Sequence, residues 1–304
     1  MKIIIPYIIL LLLIPTCSFA ERVVVSNAPE TITSSGVLYK LDNFNGRARI
    51  IIHHKNMQFT DVTNEGNQLR LIITPANKKA KVELIGGSSV SRSGYVAGAN
   101  ATNKYLELAK GMPSSHLGTG DAVSFSGLIE KPIAYILCTL PRYSVYSMIA
   151  DIDTNAPINI QVVFGKGDAI AHGRGFHMAG LYSYDLVPIE LHDKGSQTIT
   201  LGTPPYLVDK TTQRVNKGNY GVDTELRLPF SLRHRKLVVS ARGGRAYIVL
   251  HIIPCMGIPE GEWIIIDLQA YESVTYTLSG NDMVIKTFPI SGSSYPVRLT
   301  LTGL

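Results

Sequence analysis

The chain has 304 residues, of which 45% are hydrophobic, with 29 Lys and Arg against 23 Asp and Glu for a formal net charge of +6. So small a basic excess excludes the concentrated charge of a nucleic-acid-binding surface and suits at most a polyanionic envelope. The length exceeds what one hydrophobic core usually organises, so two domains are expected.

The first residues read as an export signal. Lys2 precedes an apolar run over 3–14, and Ser18-Phe19-Ala20 supplies the small residues a signal peptidase requires. This predicts a signal peptide over 1–20, a mature chain beginning at Glu21, and a secreted or envelope-associated location. Two alternatives use the same residues. An uncleaved anchor would have a run short for a bilayer. A lipoprotein would be attached through Cys17, although Pro15 and Thr16 fit poorly before it. No later stretch is long and apolar enough for a transmembrane helix.

From Glu21 onward the recurring unit is a short β-branched run closed by Gly, Pro, Asn or Asp. Such runs occur at 22–25, 37–41, 48–53, 68–74, 80–85, 121–126, 133–140, 145–151 and 158–164. This spacing predicts a β-sandwich over 21–166. One short surface helix interrupts it at 102–110, capped by Thr102, with Tyr105, Leu106 and Ala109 along one side. Glycines at 165–168 and 172–175 suit a hinge, and the domain boundary is expected there. A second sandwich over 167–304 follows, with strands at 181–186, 197–201, 224–228, 236–240, 246–253, 262–268, 274–278, 283–288 and 297–301. The fold class is therefore all-β, two sandwiches with one helix in the first.

Within that frame, residues 203–221 form a long segment poor in apolar side chains, where function concentrates on a rigid sandwich. Gly218 and Gly221 bracket Asn219 and Tyr220 in a tight turn. Arg242-Gly243-Gly244-Arg245 reads as a hairpin turn between two apolar runs. With Arg233, His234, Arg235 and Lys236 it would make a cationic patch for an anionic polymer, and Lys78, Lys79 and Lys81 a smaller one. Charged turns also serve simply to keep sheet edges apart.

Metal and redox signals are sparse. His53, His54 and Met57, and His172, His177 and Met178, are residue types that bind copper outside the cytoplasm. Adjacent His53 and His54 on a strand face opposite ways, however, so one site cannot use both without a bulge. Cys138 and Cys255 lie inside apolar runs in opposite halves, which favours two buried thiols over a bridge. The carboxylate pairs Asp151 with Asp153 and Asp185 with Glu190, and the loop-flanking Asp209 and Asp223, are weak candidates for hydrolysis or calcium. The nucleophile-elbow, zinc-protease, phosphate-loop and Cys-x-x-Cys motifs do not occur. No cofactor is expected.

Five segments occur in order: Ala48-Arg49-Ile50-Ile51-Ile52-His53-His54-Lys55-Asn56; 144–164 with Asp151-Ile152-Asp153 and Ala156-Pro157-Ile158; Asn216-Lys217-Gly218-Asn219-Tyr220-Gly221-Val222; Arg242-Gly243-Gly244-Arg245-Ala246-Tyr247; and Gly292-Ser293-Ser294-Tyr295-Pro296-Val297-Arg298. Together they resemble a group of secreted proteins from Gram-positive spore-forming bacteria. Some members carry a stalk domain like the N-terminal part of copper amine oxidases, which is not evident here. The resemblance implies extracytoplasmic β-domains at a cell surface and brings no catalytic residues. The reading is a non-catalytic surface module whose partner is an anionic cell-wall polymer, a polysaccharide or a surface protein. Arg233, Arg235, Arg242, Arg245, Asn219 and Tyr220 are its candidate contacts. A secreted carbohydrate-active hydrolase and an extracytoplasmic copper binder are the alternatives.

Overall fold

The computed structural model describes residues 22–58, 64–112, 120–175, 178–192, 195–228, 235–254, 261–278 and 283–303. The segment 1–20 expected to be a signal peptide, and His177, Arg233, His234 and Cys255, lie outside them.

The fold is all-β around one α-helix among the described residues. In the first unit, β1 (Arg22–Asn27), β2 (Thr31–Ile32), β3 (Gly36–Asn56), β4 (Gln68–Pro75) and β5 (Ala80–Ser91) precede α1 (Gly94–Lys110). After it come β6 (Asp121–Ile129), β7 (Ile133–Thr139), β8 (Val145–Phe164), β9 (Gly173–Arg174) and β10 (Met178–Ser183). All ten strands belong to one sheet with the main order β10-β1-β3-β8-β4-β7. Strands β3 and β8 pair along their lengths, each replacing two shorter strands expected from the sequence. β4 takes one half of β8 and β5 the other. Register shifts between Leu41 and Gly46 bend the pair, as bulges do, and the sheet closes over a single apolar core from Val24 to Ala179.

Residues 48–54 of β3 are buried on both faces, which explains the near-continuous apolar run there. Ala48, Ile50 and Ile52 point into that core. Ile51 points outward, where Val23, Val25, Tyr182, Tyr220 and Val222 pack on it.

The helix is longer and more buried than the sequence suggested. Ser93 caps it by accepting from the Val96 amide, and left-handed Gly111 ends it. Thr102, expected to cap the helix, is buried and donates to the Gly98 carbonyl at 2.8 Å. Tyr105 and Leu106 are fully buried because both units press on this helix.

The second unit contains β11 (Ile189–Glu190), β12 (Gln197–Leu201), β13 (Thr224–Leu228), β14 (Arg235–Ala241) and β15 (Ala246–Pro254). It continues with β16 (Glu262–Leu268), β17 (Ser273–Leu278), β18 (Met283–Thr287) and β19 (Val297–Gly303). A five-stranded sheet, β11-β13-β18-β15-β16, faces a four-stranded one, β12-β19-β14-β17, across a core running from Leu191 to Leu301. Two corrections follow from this pairing. Gly173–Arg174 and Met178–Ser183, which fall after the expected boundary, pair within the first sheet. Residues 242–245 join β14 to β15 across the two layers and are not a hairpin, since those strands lie in different sheets.

Candidate functional site

Among the described residues, the one ion pair with both side chains buried away from solvent lies at the junction of the units. An arginine inside the run Ala48-Arg49-Ile50-Ile51 has to find a buried partner, because an isolated charge in an apolar interior is expensive. Arg49 has no exposed surface, and its side chain crosses into the second unit. One terminal nitrogen, Nη1, donates to Asp223 Oδ1 at 2.9 Å and to the Gly221 carbonyl at 2.7 Å. The other, Nη2, reaches the Tyr105 hydroxyl at 3.3 Å. Nε stands 3.6 Å from Asp151, close enough for charge attraction and too far for a hydrogen bond. The guanidinium lies 4.4 Å from the Phe288 ring centroid, a cation–π contact.

Neighbouring groups complete the cluster. Tyr184 donates to Asp223 at 2.9 Å, while Lys110 and Tyr105 donate to Asp151 at 2.8 and 3.0 Å. Burial opposes the charge on Arg49, but Asp223, Tyr105 and Asp151 outweigh it and hold the pKa well above its ordinary value. Burial pushes the Asp223 carboxyl up, while Arg49 and Tyr184 pull it back. With both donors at 2.9 Å it supplies the negative charge that Arg49 requires. Burial also raises the Tyr105 hydroxyl to about 12. The sequence singled out Asp151 and Asp223 as carboxylates but missed Arg49, whose signal was a lone cation inside an apolar strand.

A second contact crosses the junction near its rim. Arg245 forks onto Asp267 at 3.1 and 2.7 Å and lies 4.2 Å from the Tyr95 ring centroid, whose hydroxyl donates to the same carboxylate at 2.5 Å. Arg245 holds the Asp267 carboxyl below its usual range. Helix α1 also comes very close here. A Cβ on Gly98 would stand 1.9 Å from the Ser291 carbonyl oxygen.

Among the described residues, the members of the expected cationic patch are dispersed. Arg245 is committed to Asp267, Arg235 is buried and donates to the Gly195 carbonyl at 3.2 Å, and Arg242 is exposed. Asn219, in a left-handed conformation, accepts from the Leu207 amide and donates to the Thr203 and Pro205 carbonyls, so it ties the long loop together. Tyr220 donates to the Ser293 carbonyl and packs edge-on to Tyr295. Asp209 accepts from the Leu181, Thr211 and Thr212 amides and organises the same loop.

The remaining candidates separate as well. His54 donates from Nδ1 to the Pro29 carbonyl at 2.8 Å, which leaves Nε2 to accept from Ser26 at 2.9 Å. His53 points to the opposite face beside Gly94. Burial lowers both imidazoles to about 4. His172 is exposed, Met57 is half-buried and Met178 is buried in the outer cluster on β3. Among the described residues, no three His, Cys, Asp or Glu side chains converge. Asp153 is paired with Arg47 at 2.7 Å, and Glu190 lies 3.5 Å from Arg227. Burial pushes the Cys138 thiol up to about 12.

Beside the junction lies a cleft of about 730 Å³ between the outer strands β16 and β17, which end their respective sheets. Met112, Glu262, Trp263, Ile265, Tyr276 and Leu278 are among its lining residues. Trp263 is the chain's single tryptophan. One face of its indole is stacked on His251, with centroids 4.0 Å apart and planes 2° from parallel, so the ring is held flat at the cleft wall. A concave surface with an immobilised aromatic ring and a few polar groups is the usual form of a ligand site. The sequence reading passed over Trp263, although a lone tryptophan next to an acid at a strand start was visible there.

No protein-family model matches the chain, and no curated protein matches it. Among solved structures, one titled "Structure of infectious bursal disease virus Gx strain" aligns over 88% of this chain and 71% of its own, at 9% identity and a TM-score of 0.17. A likeness that weak carries no argument about this molecule.

Proposed function

We propose that this chain is an exported, non-catalytic surface module that holds a polymeric partner, polysaccharide or protein, in the cleft beside β16. The leader-like first twenty residues support export. The observation that carries the binding reading is Trp263, braced by His251 at the wall of that cleft. Binding is favoured over hydrolysis because the carboxylates Asp151, Asp153 and Asp223 are each tied to a cation in the fold. An anionic wall polymer loses its support with the dispersal of the arginines, and Glu262 in the cleft opposes it further.

The test uses Trp263 as its own reporter. Fluorescence of the protein is titrated with soluble neutral polysaccharides, teichoic acid and extended peptides. At least one neutral polymer or peptide should shift the emission saturably, and Trp263→Ala should lose that binding while keeping the parent circular dichroism spectrum. Binding unchanged in Trp263→Ala, or no saturable shift with any probe, defeats the proposal.

A further inference from the structure

We infer that the free edge of β16 accepts an added strand from an extended polypeptide, with apolar residues at alternate positions and a basic residue opposite Glu262. This rests on the cleft reading and gives the cleft's occupant a chemical class. Among the described residues, strand β16 ends its sheet and pairs only with β15, over seven consecutive residues from Ala246↔Leu268 to Ile252↔Glu262 without a bulge. An outer strand exposes a row of backbone donors and acceptors, and proteins blunt such edges with Lys, Pro, bulges or short length. Between Glu262 and Asp267, the run Trp263-Ile264-Ile265-Ile266 has none of these.

Other outer strands show the contrast. β11 has two residues, β6 carries Ser124, Ser126 and Gly127, and β17 alternates Thr with larger side chains. The pairing of β7 with β4 is broken by a register shift. Strands β16 and β17 share a regular register and a strongly β-forming sequence, and of the two only β16 carries an uninterrupted large apolar run, Trp263 to Ile266, with a charge beside it for a partner to match.

The cleft follows that edge, and β16 presents side chains from both faces to it. Trp263 and Ile265 belong to the cluster under α1, while Ile264 packs toward the sandwich core. A strand laid along the edge would place alternate side chains on the two sides, which is how strand addition gains both affinity and selectivity. A polypeptide backbone repeats donors and acceptors at the spacing of the edge, whereas sugar hydroxyls do not. Glu262 is the one charged residue among the described lining residues, so a basic residue opposite it completes the match. A second copy of the chain fits less well. Opposed residues must share a face, so antiparallel self-pairing centres on a residue, and centred on Ile264 it would set Glu262 opposite Ile266, with no basic partner for the carboxylate.

The experiment pans a displayed library of random octapeptides against the whole protein, then measures enriched synthetic peptides by Trp263 fluorescence. Each is compared with a version N-methylated at alternate residues, which keeps the side chains but removes the amide donors along one edge. Enriched peptides should alternate Val, Ile or Thr with polar residues and carry Lys or Arg near one end. N-methylation in one of the two phases should weaken binding about ten-fold or more. Equal binding by both N-methylated phases, or no enrichment, overturns strand addition. A polysaccharide that shifts Trp263 when peptides fail overturns it too, yet leaves the cleft reading standing. Failure of every probe removes both. Self-association through β16, detected by sedimentation, replaces the proposed partner with a second copy.

Discussion

Two arginines at the junction, one reaching across it to its carboxylate and one paired within the second unit, use the same parts in opposite surroundings. Arg49 pairs with Asp223 and lies against Phe288, while Arg245 pairs with Asp267 and lies against Tyr95. The side chains of Arg49 and Asp223 are 0% and 2% exposed, those of Arg245 and Asp267 45% and 43%. In water the second pair forgoes little when broken, because solvent takes over both charges. In the interior a broken pair strands a charge with nothing to replace its partner. The chemical inventory alone would rank the two as equals, and burial separates them.

The widest separation should appear on removing one partner. Asp223→Ala leaves Arg49 buried without its shortest carboxylate contact and should destabilise by about 3–5 kcal/mol. Replacing both ends, as in Arg49→Met with Asp223→Asn, should recover part of that loss, since no uncompensated charge then remains between them. Urea unfolding monitored by circular dichroism measures both. If the double variant is as unstable as the sum of the two single ones, the clasp is not acting as a pair.

Burial without an ionic partner is the next case. His53 and His54 are neutral in the fold, with pKa values lowered from 6.5 to about 4 by desolvation. The unfolded chain takes up protons below about pH 6.5 that the native imidazoles refuse. The stability they confer is therefore fully present above 6.5 and is lost as pH falls to about 4. A full shift of this size corresponds to about 3 kcal/mol per imidazole. His53→Leu should flatten the decline in urea midpoint between pH 7 and pH 4.5 relative to the parent protein. An unchanged slope would mean that His53 takes up protons equally in the folded and unfolded chain, so that burial does not depress it.

How much of this was legible depended on whether a signal was local. Alternation and turn residues gave the all-β class and most strand positions, because both are properties of neighbouring residues. Continuity was not legible: 37–41 and 48–53 became one strand only because β8 pairs along the whole of Gly36–Asn56. The helix began eight residues early because Ser93, not Thr102, caps it, and the glycines and alanines of 94–101 carry little periodicity. Arg242-Gly243-Gly244-Arg245 looked like a hairpin because a hairpin and a crossing between layers use the same turn residues. The site residues fared similarly. Tyr220 and Asn219 were rightly placed in a turn, but Arg49 and Trp263 acquire meaning only from partners more than a hundred residues away, Asp223, or across a strand pair, His251.

Packing offers a route to the junction that touches neither arginine. Gly98→Ala places a methyl against the Ser291 carbonyl, where backbone faces backbone and no flexible side chain can yield. Overpacking of this kind costs about 1–3 kcal/mol. The loss should lie between those of the two ionic variants and should be insensitive to salt. Thermal unfolding in low and high sodium chloride tests this. A stability equal to that of the parent would show that helix and second unit separate easily here.

The smallest effect belongs to Arg245. Its removal leaves Asp267 with the Tyr95 hydroxyl and with water, so Arg245→Ala should cost within about 1 kcal/mol at low ionic strength. That difference should shrink as salt shortens the Debye length toward about 3 Å at 1 M. Part of it comes from the stem and guanidinium lying on Tyr95, which salt does not screen, so Arg245→Lys should sit between the parent and the alanine variant. The Asp267 carboxyl, now held below its usual range by Arg245, should titrate closer to its ordinary value in both variants, which carboxyl chemical shifts follow directly. A loss as large as that of Asp223→Ala would refute the distinction drawn from burial.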